Sequence, residues 1–201
     1  MAKAAAKTKA GGSERSIGRA GATVTEGIAN SLKGIDEIEA EIVALARATV
    51  SDSLRATGEV ARESVTITND VLKGAIQATE EVGAGLILST KSVAKGIVMG
   101  VSDVGGDVVS AAGQTVKGAV NGAAEIGADV ALIARRAADA VVEAGKEVGA
   151  NAGEVAISAV HGAIEAADGI GNTAVRAVKD MLVGVVEGVK EVANTARPRT
   201  R

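Results

Sequence analysis

An all-α fold is predicted by three observations: aliphatic residues recur in register every 22 positions, no stretch alternates with strand period, and proline is absent before Pro198. The pattern predicts long amphipathic helices built from tandem 22-residue units, each of two 11-residue periods. They would be either extended or folded back into a helical hairpin or bundle. In an oligomer, such a period implies a straight or right-handed supercoil.

The register is carried by recurrent phrases. Lys73-Gly-Ala-Ile, Lys95-Gly-Ile-Val and Lys117-Gly-Ala-Val are spaced by 22, and the units start near residues 29, 51, 73, 95, 117, 139, 161 and 183. One column, at unit position 4, is Leu32, Leu54, Ile76, Val98, Val120, Val142, Ile164 and Val186. A second, at position 10, is Ile38, Val60, Val82, Val104, Ile126, Val148, Ile170 and Val192. Position 9 is acidic in every unit but one, where Gly169 stands. Agreement over so many units marks a tandem repeat, the sequence signature of repeat architectures.

Within a unit, apolar positions 3 and 4 reappear 11 residues later, as in Ile97-Val98 and Val108-Val109. Eleven residues make three turns at about 3.67 residues per turn, close to the relaxed helix. Wound this way, positions 3, 4, 6, 7, 10 and 11 share one face, and the charged positions share the other. The two columns are therefore the expected contacts with an apolar surface.

Small residues follow the same register. Gly96/Gly100, Gly118/Gly122 and Gly184/Gly188 are GxxxG pairs at unit positions 2 and 6, while Gly74/Ala78 and Gly162/Ala166 are small-xxx-small relatives. Residues four apart share a helix face, so this edge lets another backbone come close and is the expected helix–helix packing seam. Glycine and valine both weaken an isolated helix, glycine by about 1 kcal/mol relative to alanine. The helices therefore need something apolar to cover them. Bends are expected near Gly105-Gly106 and Gly169 to Gly171.

Composition narrows the function classes. The 201-residue chain has no Phe, Tyr, Trp or Cys, although 47% of it is apolar. A core without aromatic residues must be built from Ala, Val, Gly and Ile. Lacking cysteine, it has neither disulfides nor thiolate metal ligands. His161 is the single histidine and occupies a lysine column, so it reads as a polar-face residue. Members of the acidic column would lie about 33 Å apart along one straight helix, too far for joint acid–base work. No phosphate-loop, dinucleotide, zinc-protease or calcium-loop pattern occurs. The expectation is a non-enzyme with no cofactor and no metal.

Residues 1–20 hold five basic residues against Glu14 and read as a basic tail; 21–196 form the helical repeat region; and 197–201, with Arg197, Arg199 and Arg201, form a second basic tail. The tails suit anionic groups, but without aromatic stacking residues or a basic body nucleic acid is not an expected partner. The basic start leads into Gly11-Gly12-Ser13 instead of an apolar stretch, which argues against a secretory signal. The longest uncharged runs, Val108–Val116 and Val155–Ile164, are too short to span a bilayer. A cytoplasmic protein, peripheral to a membrane or granule, is expected.

Phrases such as Gly184-Val-Val-Glu-Gly-Val-Lys-Glu-Val192 and Val116-Lys-Gly-Ala-Val-Asn-Gly122 resemble synuclein repeats. The 11/22-residue period over residues 29–196 is similar to that of exchangeable apolipoproteins, perilipins and some late-embryogenesis proteins, with granule-coating phasins a more distant likeness. The resemblance is one of period and composition. It implies an amphipathic helix coating a membrane, lipid droplet or storage granule. The competing expectation is a self-assembling scaffold or stalk, a homo-oligomeric bundle, tube or filament packed through the Gly/Ala edges and able to tether a partner complex to a membrane. A desiccation protectant is a third.

Overall fold

The computed structural model describes residues 34–57, 63, 65–72, 74–75 and 85–195, with side chains of the last helix described through Val185. All regular structure among these residues is helical. Two compact units divide the chain, Met1–Ile38 and Glu39–Arg201. In the first, residues 34–38 are helical; the architecture described below is that of the second.

The second unit is a helical bundle. Its helices are α1 (residues 39–57), α2 (65–72), α3 (Leu86–Asp103), α4 (Val108–Glu125), α5 (Val130–Glu147), α6 (Ala152–Ile170) and α7 (Asn172–Thr195). Of the two arrangements open to the sequence, extended or folded back, the chain takes the folded one. Helices α3, α4 and α5 each have 18 residues, about 27 Å. Their first residues, and that of α6, are spaced by the sequence period of 22.

The breaks have a local cause. After α3, α4 and α5 come Val104-Gly-Gly-Asp107, Ile126-Gly-Ala-Asp129 and Val148-Gly-Ala-Asn151. Gly105, Gly127 and Gly149 take φ of 71°, 69° and 79°, a left-handed conformation that ends an α-helix. Two reversed hydrogen bonds seal each end. The Gly106 N–H donates to the Val101 carbonyl (2.9 Å) and Gly105 to Ser102 (3.0 Å), the pairing of a Schellman turn. Ala128 to Ala123 and Ala150 to Gly145, both 2.8 Å, repeat it.

The fourth residue of each turn starts the next helix. Asp107 Oδ1 accepts from the Val109 and Ser110 amides at 3.0 Å, and Asp129 and Asn151 do the same for α5 and α6. These side chains satisfy amides that the helix leaves without partners. After α3, α4 and α5 the continuous 11-residue winding is therefore interrupted: the position-10 aliphatic (Val104, Ile126, Val148) caps one helix, and positions 14 and 15 open the next.

Four-residue turns make sequential neighbours antiparallel. Among α3 to α7, each helix packs on the next and the next but one, and none reaches a helix three places away. That pattern is two staggered rows, with α3, α5 and α7 in one and α4 and α6 in the other. α1 joins the first row, since Gly96 and Gly100 of α3 lie against its Val43–Val50 segment, and α2 joins the second through Gly118 and Leu72. Contacts restricted to near neighbours characterise stacked repeat proteins. The core between the rows consists mostly of small side chains, among them Ala94, Ala112, Ala134, Ala159 and Ala163, with Leu54, Ile97 and Leu182 the largest buried ones.

Candidate functional surface

Unit position 2 is where the rows are built. Gly96 meets the Val43 carbonyl oxygen and Ala46 of α1; Gly118 meets Leu72 and Asn69 of α2; Gly162 lies on the Gly113 backbone of α4; and Gly184 faces Arg135 of α5. Each touches the helix two places earlier, at a residue 49 positions before it or close to that. A Cβ on Gly96 would stand 2.6 Å from the Val43 oxygen, and one on Gly100 would stand 2.6 Å from the Arg47 oxygen and 2.9 Å from Val50 Cβ. Such backbone-to-backbone approach is possible only without side chains at the seam. Ala140 holds this position in α5 and is fully buried. Moving along α3 from Gly96 to Gly100 moves the contact along α1 from Val43 toward Val50, so helices within a row run parallel.

The other packing residues read from the sequence fall as follows. Gly122 is buried on α4, whereas Gly74 is exposed and faces open space. Gly188 lies on α7 past its described side chains. Of the position-4 column, Leu54, Val98 and Val120 are fully buried, Val142 nearly so, and Ile164 half-buried. Of the position-10 column, Val104, Ile126 and Val148 are half-buried at the helix ends, whereas Ile38 and Ile170 are about half exposed. Leu32, Val60, Ile76 and Val82 lie outside the described residues, as do the side chains of Val186 and Val192.

Charges align the rows. Lys95 of α3 donates to Glu143 (2.8 Å) and Glu147 (2.5 Å) of α5, and Lys117 of α4 to Glu165 of α6 (2.7 Å). Arg47 of α1 makes a two-pronged pair with Asp103 of α3, both contacts 2.6 Å. Burial pulls the Lys95 ammonium down, but hydrogen bonds to Glu143 and Glu147 outweigh it and hold the group above its ordinary range. The Arg47 hydrogen bond depresses the Asp103 carboxyl, and the Lys95 hydrogen bond does so for Glu143, in each case against the opposing effect of burial. These pairs are part-exposed, so they set register more than they add stability.

Sequence reasoning did not single out the residues that receive the glycines, Arg47, Asn69, Gly113 and Arg135, all at unit position 19. At Arg47 and Gly113 the approaching glycine meets backbone atoms, whereas at Asn69 and Arg135 it meets the side chain. The capping residues Asp107, Asp129 and Asn151 were also passed over, although their signal was present: an aliphatic residue, Gly, Gly or Ala, then Asp or Asn, every 22 positions.

Among the described residues no group of His, Asp or Glu is placed to hold a metal ion, and no helix is long and apolar enough to cross a membrane. His161 is exposed on α6. Compared with known proteins, the sequence matches no family model and no curated protein.

Proposed function

We propose that this chain is a non-enzymatic structural protein, a helical-repeat scaffold in which each 22-residue unit is one helix and one turn. The carrying observation is the recurrent seat at unit position 2: four glycines in four helices each lie on the helix two places earlier. On this reading the apolar partner that the sequence pattern demands is supplied by the chain's own helices. The test is the mass and helicity of the purified chain without lipid. A strongly helical particle that melts cooperatively, with helicity unchanged by anionic vesicles, supports the scaffold. A mass near 19.8 kDa makes it a single-chain stack, and a multiple of that makes it the homo-oligomeric form. A chain that becomes helical only with vesicles refutes the scaffold.

A second reading, a coat on a membrane, droplet or granule at the periphery of that surface, is favoured by the core's composition. Alanine and glycine seams bury little apolar area per helix, so separating helices costs less than in an aromatic core. The capped turns would let each helix stay intact while the stack opens and turns its Val and Ile columns onto lipid. A staple distinguishes the two. A Cβ on Gly145 would stand 3.5 Å from Val155 Cβ, within disulfide range, and the chain has no other cysteine. Oxidised Gly145→Cys/Val155→Cys protein should bind vesicles less than its reduced form if coating requires opening. Equal binding would sink the opening step.

A further inference from the structure

We draw no further inference here: the strongest candidate, the exposed Ile157 with the half-buried Ile164 on α6, is an unpartnered apolar strip of one helix, and nothing in the structure shows what covers it.

Discussion

Replacing Gly162 by alanine adds one methyl group where α6 crosses α4. That methyl would overlap the Gly113 carbonyl oxygen and stand 2.9 Å from its carbonyl carbon and 3.2 Å from its Cα. Carbon atoms prefer separations of about 3.5–4.0 Å, so α6 must retreat by roughly 1 Å. The obstacle is backbone, which cannot rotate aside as a side chain could. A gap of that size forfeits about a quarter to a half of each dispersion contact across it. The atoms affected include fully buried Ala112, Val116, Ala159 and Ala163. Overpacking of this kind costs about 1–3 kcal/mol, against which alanine's helix propensity returns about 1 kcal/mol. The net loss is therefore about 0–2 kcal/mol, toward the upper end because the obstacle is backbone. Gly169, seven residues along the same helix, is the control: a Cβ there meets nothing within 4 Å. Gly169→Ala should gain about 0.5 kcal/mol from propensity alone, less than mid-helix because it is in the last turn. Urea denaturation followed by circular dichroism measures both. In thermal melts a spread of about 2 kcal/mol corresponds to roughly 4–8 °C for a chain of this size. Equal stability of the two variants, or a more stable Gly162→Ala, would refute the seam.

The turns, the ion pairs and the modular stacking give further tests. Gly127→Ala forces a side chain into a φ of 69° and should cost about 1–2 kcal/mol, and Asp129→Ala should cost about 1 kcal/mol through the lost cap; thermal melts check both. Asp103 and Glu143 are depressed in the fold, so their contribution is present above about pH 4 and is lost as pH falls through their lowered values. Lys95 is raised, so its contribution is complete below about pH 10 and is lost as pH climbs through its raised value. Lys95→Gln should cost about 1 kcal/mol or less and flatten the alkaline limb of a urea-midpoint profile; an unchanged limb would remove the pairing argument. Deleting residues 108–151, two units, joins Asp107 to Ala152 and keeps every later helix in its own row. Deleting only 130–151 moves α6 into the other row, so the larger deletion should leave the more cooperatively folding protein by circular dichroism.

Much of this architecture could be read from the residues themselves. The helical class followed from the 22-residue register, because it depends on periodicity within one helix. The winding between units was harder to see. Val104-Gly105 and Ile126-Gly127 fit an uninterrupted apolar stripe as well as a turn, and a single interior glycine is tolerated in a helix. Only the fourth residue, Asp107, Asp129 or Asn151, separates the two, since a carboxylate or amide there caps the amides two and three residues on. Which helix covers which face was not legible at all. Gly162 carries no mark that assigns it to Gly113 rather than to a residue of another chain, since contact across 49 positions depends on how two successive hairpins stack.

The two periods of this protein differ for a physical reason. Each of α3, α4 and α5 with its turn matches the 22-residue sequence period, but a helix in a staggered double row presents its glycine seam to its own row, so among α3 to α7 the packing alternates between the two rows. Lys95 reaches α5 and not α4, and Lys117 reaches α6 and not α5. Among the described residues, the ion pairs between helices each skip one helix. A stack bonded in this way spreads its stabilising contacts along a core that runs between the rows, each helix adding terms with its near neighbours. Small side chains suit that arrangement, because a seam of Gly on backbone can be repeated from pair to pair, whereas a large aromatic side chain would need a differently shaped pocket in each layer. Where Gly96, Gly100 and Gly162 lie on backbone there is no room for even a methyl group, and a composition without Phe, Tyr or Trp accords with so close an approach.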